Sequence, residues 1–78
     1  MNDNHFLLYF TDGCHLCDDA EKILKQTTVF YTKVDIINDQ RLVDLYGCSI
    51  PVVANEHGDT INWPFNLQQL NDFINLHI

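Results

Sequence analysis

Basic residues are scarce in this sequence. Among 78 residues only Lys22, Lys25, Lys33 and Arg41 are basic, against eleven acidic ones, and the formal net charge is −7. Proteins that bind nucleic acids need clustered lysine and arginine to contact phosphates, whereas these four residues are spread along the chain. The charge balance therefore argues against a nucleic-acid-binding protein, and it predicts slow encounter with anionic partners such as glutathione.

Long hydrophobic runs are missing as well. No segment approaches the roughly 20 apolar residues that span a membrane, and the apolar run from Phe6 to Phe10 is too short for the core of a signal peptide. Residues 1–4 carry none of the positive side chains that open a signal peptide. We therefore expect a cytoplasmic protein that makes no use of a membrane.

Cysteine occurs three times, which is too few and an odd number for the disulfide scaffold of a small secreted domain. A chain of 78 residues has room for one hydrophobic core, and its hydrophobic content of 46% is that of a compact globular protein. No linker, repeat or low-complexity stretch interrupts it. We expect a single domain over residues 1–78, and a monomer.

The hydrophobic pattern predicts the element order β-α-β-α-β-β-α. The first half of the chain is predicted to form a strand from His5 to Phe10, a helix from Leu16 with an apolar stripe reaching Thr27, and a strand over 29–35. A short helix follows, capped by Asn38 or Asp39, with Leu42, Leu45 and Tyr46 on one face. Two hairpin strands around 52–54 and 60–63 and a last helix capped by Asn66 and Gln69 complete the prediction. A strand–helix–strand start implies two parallel strands, and the hairpin adds two antiparallel ones. The predicted fold is α/β, a four-stranded mixed sheet with helices on both faces.

Cys14 and Cys17 carry the chemistry that the sequence predicts. They form a C-x-x-C motif directly after the first strand and at the start of a helix, which in an intracellular protein is typical of a redox dithiol. Cys14 precedes the helix, so its sulfur can face solvent and the first free backbone N–H groups. Cys17 lies one turn inside and should be more buried. Thiol–disulfide exchange is therefore favoured over a pair of inert core cysteines.

Other interpretations stay open at this point. His15, between the two cysteines, either favours a Cys14 thiolate or is a solvated residue on the rim. Cys14, Cys17, Cys48 and His15 are also ligand types suited to zinc, although their spacing fits no zinc-finger pattern. Cys48 is expected to be a small buried hydrophobic residue rather than a third redox thiol. A third alternative is a non-catalytic interaction domain.

The chain resembles the thioredoxin superfamily and, within it, a small bacterial glutaredoxin-like family. The resemblance covers essentially the whole length and rests on residues 8–11, the C-x-x-C motif, the segment 46–52 and the element order. It implies a minimal thioredoxin-like fold, with Cys14 as nucleophile and Cys17 as resolving thiol. It also implies a cis peptide bond at Pro51, and at Ile50 a backbone that pairs with an extended substrate by strand addition. No cofactor beyond the Cys14–Cys17 disulfide and no metal is expected.

The stretch Trp63-Pro64-Phe65 is the most specific part of the resemblance, and it bears on the substrate. Glutaredoxins that use glutathione have a glycine-rich turn here, whose N–H groups hold a glutathione carboxylate. Proline removes one such donor and the aromatic rings fill the space. We therefore expect a protein or small-molecule disulfide as partner rather than tightly bound glutathione, with His15, Ile50, Pro51 and Trp63 in contact with it. Simple core packing of the two aromatic residues is the alternative.

Overall fold

The protein is described here by a computed structural model that covers residues 5–76. The elements follow the predicted order, with one 3-10 turn added before the second helix. They are β1 (His5–Phe10), α1 (His15–Leu24), β2 (Phe30–Asp35), the 3-10 turn (Ile36–Asn38), α2 (Gln40–Tyr46), β3 (Val52–Ala54), β4 (Thr60–Asn62) and α3 (Leu67–Ile74). Over residues 5–76, no helix is both long enough and apolar enough to cross a membrane.

The four strands form one mixed sheet in the order β2-β1-β3-β4. β1 and β2 run parallel, β3 runs antiparallel to β1, and β4 runs antiparallel to β3. The predicted mixed sheet is therefore confirmed. β1 has β2 on one side and β3 on the other. Because β3 is antiparallel to β1, the carboxyl end of β1, which leads to the C-x-x-C motif, lies beside the start of β3.

The main core lies on the face of the sheet that α1 and α3 cover. Side chains alternate between the two faces of a strand, so Phe6 and Leu8 of β1 point to this face together with Val53 of β3. The other buried members of the core come from α1, α3 and the segment before α3, and they are Ala20, Leu24, Phe65, Leu70 and Phe73. Burying these apolar side chains is the main driving force that holds both helices to the sheet.

The opposite face is covered more sparingly. The ring of Tyr9 stacks on that of Tyr46 in α2, with 4.7 Å between ring centroids. The apolar face predicted for this helix is not buried as a whole, since Leu45 is 68% exposed and α2 has no buried residue. The helix is only seven residues long, and Leu42, Val43 and Tyr46 in it are half-buried.

The helix ends follow local hydrogen bonding. Asp39 caps α2 through its side chain, and Asn66 and Gln69 form the predicted reciprocal capping box of α3. The stripe expected to reach Thr27 stops early, because α1 ends at Leu24 and the Thr27 hydroxyl donates to the Leu24 carbonyl at 2.6 Å. Threonine side chains compete with the helix for backbone partners in this way.

A polar contact ties α1 to the edge strand β2. The Tyr31 hydroxyl donates to the Glu21 carboxylate at 2.8 Å, and the Lys33 ammonium lies 3.2 Å from the same carboxylate. Burial raises the pKa of Glu21, but the hydrogen bonds from Tyr31 and Lys33 and the charges of Lys33 and Lys25 outweigh it, so that this pKa is lowered. Burial, the hydrogen bond to Glu21 and the charge of Glu21 raise the pKa of Tyr31 to about 12.

The raised pKa of Tyr31 predicts a loss of stability at high pH. Its folded-state pKa lies above the ordinary value of 10.0, so the contact contributes fully below about pH 10 and is lost as the pH rises towards 12. Tyr31→Phe should lower the free energy of unfolding by about 1 kcal/mol at pH 8, and the difference from the original protein should shrink between pH 10 and 12. Urea unfolding at several pH values measures this, and a difference that is independent of pH would contradict it.

Candidate active site

A tight turn connects β1 to α1 and places Cys14. The backbone N–H of Cys14 donates to the carbonyl of Thr11 at 3.3 Å. Gly13 has a φ of +79°, a left-handed conformation that glycine adopts without the steric cost paid by other residues. The chain then enters α1 with Cys14 as its extended N-cap residue.

Cys14 and Cys17 are joined by a disulfide, with their Cα atoms 5.2 Å apart. Cys14 is half-buried, whereas Cys17 is 3% exposed, so the second cysteine is the more buried one, as the sequence predicts. The backbone N–H of Cys17 donates to the Cys14 sulfur at 3.1 Å. The sulfur thus occupies the position where a side chain satisfies a free N–H group of the first helical turn.

The surroundings of the disulfide are acidic. Asp12 and Asp18 are exposed and Asp19 is half-buried, and within residues 5–76 none of the three forms an ion pair. Lys33 is already held by Glu21 and by the face of the Phe10 ring, 4.5 Å from its centroid. Lys22 and Lys25 line a pocket with Asp18 and Glu21 and offset part of this charge, but the acidic side chains near the disulfide are more numerous, and the local field repels anions.

His15 opens α1 beside the disulfide. It is exposed, and over the described part of the chain its ring has no hydrogen-bond partner. It therefore lies on the rim of the site, where an approaching molecule can reach it. Its predicted contact with a substrate stays a prediction.

The loop before β3 lies at the same end of the sheet. Tyr9 pairs with Val52, so Pro51 stands just beyond the strand, where β1 leads towards Cys14. Pro51 is fully buried, and Ile50 beside it is half-buried. The Ile50–Pro51 peptide bond is cis. The sheet register thus brings the two segments that the sequence singled out, the C-x-x-C turn and the proline loop, to one end of the sheet.

Trp63, directly after β4, lies at the same end of the sheet. Its backbone N–H donates to the carbonyl of Pro51 at 3.1 Å, and the Trp63–Pro64 peptide bond is cis. The indole is half-buried and packs edge-on against Phe65, which is 4% exposed and part of the core. Phe65 is therefore a packing residue, whereas Trp63 lies between the core and the proline loop.

Cys48 differs from its expectation. It was predicted to be buried, but it is free and exposed in the turn after α2. A sequence does not show whether a loop thiol meets other parts of the chain. Within residues 5–76, no three His, Cys, Asp or Glu side chains are grouped as they would be to hold a metal ion, so the four residues of the alternative zinc site are not brought together.

One residue of this region was not singled out from the sequence. Tyr46 was expected only as a packing residue of α2, yet its carbonyl accepts the backbone N–H groups of Ser49 and Ile50 at 2.8 and 3.0 Å. Burial, and then the neighbouring Tyr46, raises the pKa of Tyr9, in keeping with the close ring stack. Paired tyrosines far apart in sequence give no local signal of such a contact.

The family follows from the profile of the Glutaredoxin-like domain, which matches residues 5–75. The chain belongs to this family. A crystal structure of protein XcR50 from X. campestris is similar, with 32% identity over 94% of this chain and 99% of that chain and a TM-score of 0.84. No curated protein matched the chain in a sequence comparison.

Two more distant structures share the fold of this glutaredoxin-like chain. Protein Ne2328 from Nitrosomonas europaea is 18% identical over 94% of this chain and 93% of that one, with a TM-score of 0.78. A mutant thioredoxin from Halobacterium salinarum is 21% identical over 97% of this chain and 75% of that one, with a TM-score of 0.71. At these identities the likeness concerns the fold, which is the minimal thioredoxin-like fold predicted.

The left-handed conformation of Gly13 predicts which substitutions the turn tolerates. No atom lies within 4 Å of a Cβ added there, so backbone strain alone sets the cost. Gly13→Ala should lower the free energy of unfolding by about 1–2 kcal/mol, and Gly13→Asn should lower it less, because asparagine visits this region more readily. Urea unfolding of the oxidised variants tests this, and equal losses would contradict it.

Proposed function

We propose that the protein is a thiol–disulfide oxidoreductase in which Cys14 is the nucleophile and Cys17 the resolving thiol. The observation that carries this is the asymmetry of the pair. Cys14 is half-exposed at the N-cap of α1, where its sulfur accepts a backbone N–H, and Cys17 is buried behind it. A helix N-terminus and a hydrogen bond to sulfur both stabilise a thiolate, the form that attacks disulfides.

The reaction runs in two exchange steps. The Cys14 thiolate attacks one sulfur of the substrate disulfide, the substrate S–S bond breaks, and one substrate sulfur leaves as a thiolate while the other is bonded to Cys14. Cys17 loses its proton and attacks the Cys14 sulfur, which releases the second substrate thiolate. The substrate has gained two electrons, and the protein ends with the Cys14–Cys17 disulfide. A thiol reductant then returns the protein to its reduced form.

The direction proposed is reduction in a cytoplasmic setting, where thiols are kept reduced. The only redox group that this chemistry needs is the dithiol itself. The acceptor is a disulfide in a protein or a small molecule, which approaches between the C-x-x-C turn, His15 and the loop of Ile50 and Pro51.

Glutathione is proposed to be a poor partner, for two reasons. The resemblance puts Trp63 and Pro64 where a carboxylate-binding turn would be. Pro64 has no backbone N–H, and the backbone N–H of Trp63 already donates to the carbonyl of Pro51. The unpaired carboxylates of Asp12, Asp18 and Asp19 add repulsion towards an anionic tripeptide.

The assignment of the two cysteines predicts three different outcomes. Cys14→Ser should abolish reduction of hydroxyethyl disulfide, because the attacking thiol is lost. Cys17→Ser should leave a stable mixed disulfide with a peptide substrate, visible by mass spectrometry, because the resolving thiol is missing. Cys48→Ser is the matched control and should keep nearly full turnover.

The same variants separate the alternatives. Full activity of Cys14→Ser would disprove the proposed nucleophile. An unmodified protein that reduces no disulfide would favour a non-catalytic interaction domain on the same fold. Stoichiometric zinc that survives purification and is released on loss of Cys14 or Cys48 would favour a metal-binding module.

The acidic surroundings predict how salt changes the reduction of the Cys14–Cys17 disulfide. The thiolate is the attacking form, with a net charge of about −2 in glutathione, −1 in mercaptoethanol and 0 in cysteamine, whose ammonium balances the sulfur. Raising the ionic strength from about 0.02 to 0.5 M should therefore speed reduction by glutathione most, roughly 2- to 5-fold, and reduction by mercaptoethanol less, because salt screens the repulsion. Cysteamine is the control and should change little. Stopped-flow tryptophan fluorescence or thiol trapping measures the rates.

Two results would contradict the partner assignment. The first is an identical salt response for all three thiols. The second is faster turnover with glutathione and its reductase than with thioredoxin reductase.

A further inference from the structure

Asp12 and Gly13 form the one place in the sequence where a glycine directly follows an aspartate or an asparagine. The backbone nitrogen after an aspartate can attack the carboxyl carbon of that aspartate and close a five-membered ring. Both reacting groups belong to one dipeptide, so the reaction is intramolecular and needs no second molecule to meet it. Glycine hinders the attack least, because it has no Cβ next to the nitrogen.

The structure leaves both reacting groups unengaged. Asp12 and Gly13 are exposed. Over residues 5–76 the Asp12 carboxylate takes part in no hydrogen bond or ion pair, and the backbone N–H of Gly13 has no acceptor. Ring closure therefore breaks no contact of either group.

The turn that holds the pair has room to move. It is closed by the hydrogen bond from Cys14 to Thr11, whose 3.3 Å is longer than usual for an N–H group and an oxygen. Gly13 has a φ of +79°, and glycine adopts negative values about as readily. No atom lies within 4 Å of the place where a Cβ of Gly13 would stand. The peptide group between Asp12 and Gly13 can therefore rotate and bring the nitrogen to the carboxyl carbon.

The other aspartates of the described residues lack this combination. All of them precede a residue that has a Cβ. Their carboxylates accept capping or loop hydrogen bonds, or their backbone is held within a helix, and the two groups are Asp35, Asp39 and Asp59 in the first and Asp18, Asp19, Asp44 and Asp72 in the second. Asp12 is thus set apart by its structure as well as by its neighbour in the sequence.

We propose that Asp12 is a site of spontaneous covalent modification, where the chain converts aspartate to isoaspartate through a succinimide. The Gly13 nitrogen forms a bond to Cγ of Asp12 and gives up its proton, the protonated carboxyl group gives up its hydroxyl, and the two leave as water. One water then opens the ring. Cleavage at the original main-chain carbonyl leaves isoaspartate, and cleavage at Cγ restores aspartate. No electrons are exchanged, so no oxidant or reductant takes part.

The modification bears on Cys14. In isoaspartate the main chain runs through Cβ and Cγ of residue 12, which adds one carbon and about 1.5 Å to the path between β1 and Cys14. The turn hydrogen bond from Cys14 to Thr11 cannot keep its geometry over this longer path. A displacement of about 1 Å can cost on the order of 100-fold in rate, so we expect the Cys14 sulfur to react more slowly. This inference does not depend on the proposed function, because neither the modification nor its effect needs a substrate.

Ageing of the folded, unmodified protein in warm, mildly acidic buffer tests the site, because acid supplies the protonated carboxyl group. Peptide mapping with mass spectrometry should show isoaspartate accumulating at residue 12, as a product of unchanged mass that elutes separately, with a precursor that is lighter by one water. Asp12→Glu is the matched control. It keeps the carboxylate, but its ring would have six members and closes far more slowly, so this variant should accumulate no such product.

The effect on the sulfur is measured by alkylation of the aged and then reduced protein with iodoacetamide. A slow fraction of Cys14 should appear, equal in size to the isoaspartate fraction. Cys48, which is free and exposed, is the internal reference in the same molecules and should keep its rate. The aged Asp12→Glu protein should show no slow fraction.

Three results would count against the proposal. Isoaspartate that forms at residue 12 in urea but not in the folded protein would show that the turn protects the pair, and would overturn the proposal. Isoaspartate that forms mainly at another aspartate would do the same. An unchanged Cys14 rate in protein that carries isoaspartate would overturn the effect on the sulfur.

None of these results bears on whether Cys14 reduces disulfides, which the Cys14→Ser variant decides.

Discussion

The antiparallel register between β1 and β3 is the constraint on which the candidate site depends. Pairing Tyr9 with Val52 brings the end of β1, which leads to Cys14, beside the loop that ends at Pro51. The pairing of Val52 in β3 with Asn62 in β4 places Trp63 at the same end of the sheet. A shift of one residue would move Val53 from the core to the opposite face, so burial of this side chain also holds the site together.

In the proposed function, the site combines a redox-active cysteine pair with surroundings that restrict its partners. The N-cap position and the Cys17 N–H favour a Cys14 thiolate, while nearby unpaired carboxylates disfavour added negative charge. In the proline loop, the N–H of Ile50 and the carbonyl of Pro51 are already used in hydrogen bonds within the protein. If the proposed function holds, the fold carries thiol–disulfide chemistry and the residues around the disulfide set which molecules reach the sulfur.

Much of this could be predicted from the chain, and the exceptions share a cause. The cap at Asn66 and the C-x-x-C motif at the start of α1 depend on residues close in sequence, and the expectations for both agree with the structure. Cys48 was expected to be buried and is exposed, and Leu45 on the predicted apolar face of α2 is exposed as well. Burial depends on which distant segment covers a side chain. Periodicity marks an apolar face without showing that anything packs against it.

The amino-acid sequence by itself determined the order of elements, the helix caps and the placement of Cys14 before a helix and Cys17 within it. Each of these is decided by short-range sterics and hydrogen bonds along the chain. Only the tertiary structure decided that Tyr9 contacts Tyr46 and that Trp63 binds the carbonyl of Pro51. Both contacts join residues that are far apart in the sequence, and the sheet and its connections bring them together.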